Sequence, residues 1–201
     1  KQHVDSLIHA SWIIPVDPDD SVLEDHAVAV SAGQIIDILP SAEASLRYQS
    51  DNTAELDQHA LIPGLINSHG HAAMTLMRGL ADDLPLMEWL TQHIWPAEQR
   101  LVCDEFVAAG TELAIAEMLL SGTTCFSDMY FFPDMAAKAA HQHKIRAQIT
   151  PPILEFPSAW ANNADEYIQK GLSVQDNYRN HPLIQVGFGP HAPYTVSDES
   201  L

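Results

Sequence analysis

The chain has 201 residues, 46% of them hydrophobic and 18% charged, with 27 acids against 9 bases for a formal net charge of -18. That balance describes an ordinary folded protein able to bury a sizeable core, and its field repels phosphate backbones and anionic membrane surfaces, so neither nucleic acid nor membrane is expected as a partner. With only Cys103 and Cys125 there is no disulfide framework, and with no signal-like N-terminus and no apolar run near the ~20 residues of a membrane span, a cytoplasmic protein is expected.

The first element in chain order is a β-rich run over Leu7 to Val16, punctuated by Pro15, Pro18, Asp19 and Asp20. Ala27 to Val30 and Gln34 to Leu39 follow, joined across Ala32-Gly33 as a hairpin. The serine- and alanine-rich stretch Ser41 to Ser50 reads as a surface connection, and a boundary is expected near Asp57, giving domains 1–57 and 58–201.

Beyond it, apolar runs of strand length alternate with helical stretches, the pattern of β/α units on a parallel sheet. The strands are Leu61 to Asn67, Thr123 to Asp128, Ile145 to Thr150 and Leu183 to Gly189, each read as buried on both faces. A helix is predicted on Phe106, Ala109, Leu113, Ala116 and Leu120, with Asp104 and Glu105 in its first turn and Gly122 past its end. Two more cover Asp134 to Lys144 and Ala164 to Tyr178.

His69 and His71 close the first strand. In extended backbone, residues i and i+2 project from one face, so the two imidazoles can meet at one spot, at the strand end where α/β barrels place their active sites. His141 and His143 share the spacing but fall on a predicted helix, where i and i+2 point about 200° apart. That pair is read as solvated helix-end residues.

The segments PGLINSHGHAAMTLMRGLADDLPLMEWL, HIWPAEQRL, SGTTCFSDMYF and VGFGPHAPYT, in this order, resemble the amidohydrolase superfamily, specifically its branch of chlorohydrolases and aminohydrolases. The resemblance covers the chain from about Leu61 onward. It implies a (β/α)8, TIM-like barrel, with the residues before Asp57 forming the N-terminal share of a small β-sandwich.

It also implies site residues. His69 and His71 match histidines that bind a divalent metal, usually zinc, which lowers the pKa of a bound water. The segment Leu183 to Tyr194 lacks the lysine of binuclear members, so one metal is expected. Glu98 matches a glutamate that accepts hydrogen bonds from ribose hydroxyls, His191 a histidine beside the purine, and Trp89 a pocket wall.

The activity implied is hydrolytic deamination of an adenine nucleoside, 5′-methylthioadenosine first, with S-adenosylhomocysteine and adenosine behind it. Some relatives that accept S-adenosylhomocysteine carry an arginine after the third strand where this chain has Pro151-Pro152, which argues against recognition of the homocysteine tail. Guanine or pterin deamination and chlorotriazine hydrolysis are alternatives on the same histidines, and a noncatalytic barrel fragment is the alternative of a different class.

A third histidine, a proton-shuttling glutamate and an aspartate of the implied site have no counterpart up to Leu201. The chain, which also lacks an initiator Met, is therefore expected to be a fragment with a trimmed start. No catalytic acid or base is assigned within it, and alone it is expected to be inactive. The expected partner is a small-molecule nucleoside, and a homo-oligomer is compatible with the sequence.

Overall fold

A computed structural model describes residues 1–19 and 21–201, so Asp20 lies outside the described residues. The chain divides into two compact units, Lys1–Pro63 and Gly64–Leu201. The boundary expected at Asp57 falls inside a strand, because the sheet of the first unit keeps its pairing as far as Leu61.

In the first unit, β1 (Ser6–Ile13), β2 (Leu23–Ser31), β3 (Gln34–Pro40) and β4 (Thr53–Leu61) form one sheet in the order β3-β2-β1-β4. The β1 to β3 neighbours are antiparallel and β4 lies parallel to β1. Side chains alternate between faces, so Ala27 and Ala29 of β2 join one core cluster and Val28 the other.

The β2–β3 hairpin turns through Ala32 at φ 50° and Gly33 at φ 73°, the left-handed pair its two-residue loop needs. The stretch read as a surface connection contains a helix, α1 (Ser41–Arg47), whose Ala44 is fully buried. Alanine, glutamate, leucine and arginine are good helix formers, and that preference outweighs the serines.

The second unit is a β/α array. Strands β5 (Leu65–Asn67), β6 (Thr123–Asp128), β7 (Arg146–Ile149) and β9 (Ile184–Val186) lie side by side in chain order, every pair parallel. A further parallel pair joins β8 (Pro152–Ile153) to β10 (Gly189–Pro190). The crossovers include α3 (Asp104–Leu120), α4 (Pro133–Gln142) and α5 (Ala164–Asn177). Before α3, a helical stretch runs through Leu86–Glu88, a π-helical segment Trp89–Ile94 and α2 (Trp95–Leu101).

The first predicted strand is split. Leu61 ends β4, Pro63 supplies no backbone donor, and only Leu65–Asn67 joins the parallel sheet. Nor are its residues buried on both faces, since Leu65 is 52% and Ile66 70% exposed. β5 is an edge strand, and the core forms where Phe126, Ala147, Ile149 and Ile184 of its neighbours meet Ala114, Ile115 and the alanines of α4.

The helix α3 has its predicted ends, with Gly122 at φ 86° just past them. Its buried face differs from the predicted one: Val107, Gly110, Thr111, Ala114 and Ile115 are buried, while Leu113 and Leu120 are exposed. Small residues allow close approach to a 3-10 segment, Ala72–Met77, and a Cβ on Gly110 would stand 2.5 Å from the Ala73 carbonyl oxygen. Arg78 then clamps the end of that segment to α3 through both carboxylate oxygens of Glu117, at 3.0 and 2.7 Å. Among the described residues, no helix is long and apolar enough to cross a membrane.

Candidate active site

His69 and His71 lie beyond β5 rather than in it, two and four residues after Asn67. Their rings stand edge to face with centroids 5.2 Å apart. His69 is exposed and His71 half-buried. The His71 Nδ1–H donates to the Met129 carbonyl at 2.7 Å, which fixes the tautomer and leaves Nε2 as a free lone pair.

The end of β6 holds this bend at three points. Met129 N–H donates to the Gly70 carbonyl at 3.1 Å, the Met129 carbonyl takes the His71 proton, and Asp128 Oδ1 accepts from Ala72 N–H at 2.5 Å. Asp128 is 2% exposed, and burial pushes its carboxyl up to about 7 against the opposing effect of the Ala72 hydrogen bond. Neither Asp128 nor Tyr130 was assigned a role from sequence, although both lie in the SDMYF segment that carries the resemblance.

His71 opens onto a cavity of about 290 Å³ at the carboxyl ends of the strands, shared with Trp89, Glu98, Tyr130, Phe156 and His191. Four of the five predicted site residues therefore meet at one space, and His69 stands outside its lining, against the His71 ring. Trp89 is brought in by the π-helical segment, a distortion that often marks a functional position. Trp95 and Phe156 pack ring to ring at 5.9 Å on the apolar wall.

Glu98 reaches the cavity from the first turn of α2 and accepts a hydrogen bond from the Tyr130 hydroxyl at 2.8 Å. Burial raises its pKa, with the Tyr130 bond and the His71 ring pulling the other way. His191 follows β10, and its Nδ1 meets Thr195 Oγ1 at 2.9 Å. Its outer edge is exposed, but desolvation of the part turned into the cavity lowers its pKa, and His71 adds to that.

The pair read as inert is separated as expected from a joint site. His141 turns to His181, 2.9 Å away, and His143 toward Glu112 at 3.9 Å. Among the described residues, no group of three or more His, Cys, Asp or Glu side chains converges to hold a metal ion. The chemistry of His69 and His71 fits such an ion: each imidazole could supply one nitrogen donor, and the Met129 contact at His71 Nδ1 turns Nε2 outward, a donor type suited to a borderline metal such as zinc.

A parallel β/α arc with a cavity at the carboxyl ends of its strands is the architecture of the barrel enzymes. Within that class the chain belongs to the amidohydrolase family, whose profile matches residues 60–201. It is 55% identical over its whole length to a 5-methylthioadenosine/S-adenosylhomocysteine deaminase of Saccharophagus degradans and 52% identical, over 98% of its length, to one of Teredinibacter turnerae. It spans 45% of the length of each. A solved structure of an adenosine deaminase from Xanthomonas campestris with bound zinc superposes with a TM-score of 0.97 at 51% identity, covering 99% of this chain and 45% of that one.

Proposed function

We propose that the polypeptide containing this chain is a metal-dependent aminohydrolase that converts an adenine nucleoside and water to the inosine analogue and ammonia, with 5′-methylthioadenosine as the preferred substrate. The observation that carries the proposal is the convergence of His71, Trp89 and Glu98, and His191, from three separate segments, on one largely apolar cavity. The names of its relatives support the same reading.

In this reading His69 and His71 would hold one divalent metal, zinc, together with ligands that this chain does not supply. Its contribution is to lower the pKa of a bound water. The residues of this chain bind and orient. Glu98 keeps one carboxylate oxygen for the vicinal ribose hydroxyls, since two O–H donors suit an acceptor-only group. Trp89 offers a ring face to the adenine or the thioether, and His191 stands where the purine edge would lie. Met129 holds the His71 ring so that its Nε2 points in a fixed direction.

The apolar wall of Trp95, Phe156 and Leu154 suits a methylthio substituent. The residues of the first unit are assigned to the N-terminal share of a β-sandwich, and the unpaired Cys103 and Cys125 to a cytoplasmic setting. The test is ammonia release from 5′-methylthioadenosine by the purified full-length protein, beside a chelator-treated sample. Metal-dependent release is expected. A zinc-loaded protein that releases no ammonia from any adenine nucleoside, but acts on guanine or a chlorotriazine, would overturn the substrate assignment.

A further inference from the structure

We infer that Tyr130 is a positioning residue that fixes the direction of the Glu98 carboxylate toward a ribose diol, a role that rests on the deaminase reading above. Glu98 is the one acid lining the cavity among the described residues. A glutamate has three side-chain torsions, and nothing in its own helix holds the carboxylate in place. Tyr130 has two, and both are locked by packing: it is 6% exposed and lies in a cluster with Ala73, Val102 and Val107. Its ring also contacts Phe131 and His71, at centroid separations of 5.3 and 6.3 Å.

A rigid donor thus holds a flexible acceptor. The Tyr130 hydroxyl occupies one lone-pair direction of Oε1 at 2.8 Å, leaving the second direction of that oxygen and the whole of Oε2 for ligand hydroxyls.

The adjacent residue acts in parallel, because the Met129 carbonyl holds His71. Two consecutive residues after β6 therefore hold an imidazole assigned to the metal and the carboxylate assigned to the sugar. The distance between those two groups is carried by one short peptide.

The test uses the full-length protein and Tyr130→Phe, which removes the hydroxyl and keeps the packed ring. Binding is followed by tryptophan fluorescence in chelator-treated protein, with 5′-methylthioadenosine and its 2′,3′-dideoxy counterpart as probes. KM and kcat are then measured on the metal-loaded form. The variant is expected to bind the diol-bearing nucleoside roughly tenfold more weakly, with the loss in KM rather than kcat. Its affinity for the dideoxy probe should stay within about twofold of the parent value.

Equal weakening of both probes would overturn the inference, because Tyr130 would then be shaping the cavity and not the carboxylate. A diol preference that survives intact in Tyr130→Phe overturns it as well, while leaving the role of Glu98 standing. A parent protein with no diol preference, unchanged by Glu98→Gln, removes the deaminase reading of Glu98 and this inference with it.

Discussion

Replacing Gly110 with alanine tests whether the close contact between α3 and the segment after the histidines is a packing requirement. An alanine Cβ there would stand 2.5 Å from the Ala73 oxygen and 2.8 Å from its Cα. Ordinary contact begins at 3.4 Å, so the two elements must separate by about 0.9 Å, the difference between those distances. The opposing atoms are backbone, and no side-chain rotation can relieve them. Overpacking of this kind costs about 1–3 kcal/mol, and a backbone obstacle places the cost near the upper end. Alanine recovers about 1 kcal/mol of helix propensity, leaving a net loss of roughly 2 kcal/mol.

The assay is urea unfolding of the full-length protein, comparing midpoints at an unchanged m-value. Gly187→Ala is the control, since its Cβ would find nothing nearer than Gln148 Nε2 at 3.7 Å and φ there is not positive. It should fall within about 0.5 kcal/mol of the parent protein. A Gly110→Ala protein as stable as the parent would refute the reasoning, because the gain in propensity would then be acting without an opposing clash.

His71→Ala is expected to weaken metal retention by more than about a hundredfold, beyond what losing an outer hydrogen-bond partner does, and metal analysis after dialysis reads the loss directly. The pH dependence of stability should carry the signature of Glu166. Its carboxylate accepts from Lys170 at 2.7 Å and from Asn162 side chain and backbone at 2.7 and 2.9 Å, which holds its pKa down to about 2. A folded pKa below the unfolded value of about 4.5 contributes stability that is present above that value and lost as the pH falls toward 2. Glu166→Gln should therefore lower the melting temperature at pH 7, with the difference shrinking below pH 4.5 and vanishing near pH 2. A difference that stays constant across that range would assign the loss to geometry instead of charge.

The elements legible in the sequence were those whose signals are local. Alternating apolar runs and helices place β6, β7 and β9, and the acidic first turn and Gly122 place the ends of α3. The buried face of α3 was not legible, because hydrophobic periodicity favours large residues. The contact with Ala73 selects small ones and turns Leu113 and Leu120 outward. The split of the first strand follows from where β4 ends its pairing with β1, at Leu61 opposite Ile13, residues far apart in the chain.

The candidate site divides along the same line. Two histidines one residue apart could be picked out from residue type and spacing, whereas Glu98, His191 and Trp89 were legible only through the resemblance of their segments to the amidohydrolase superfamily, and four of the five assigned residues line one cavity. Sequence by itself determined which side chains were available and roughly which strand end would carry them, since strand periodicity and turn chemistry act over a few residues. Only the tertiary structure decided that Met129 holds His71 across 58 residues and that Tyr130 holds Glu98 across 32. Those bonds exist because parallel strands bring distant segments to one edge, and no local pattern encodes the partner that a buried donor or acceptor will find there.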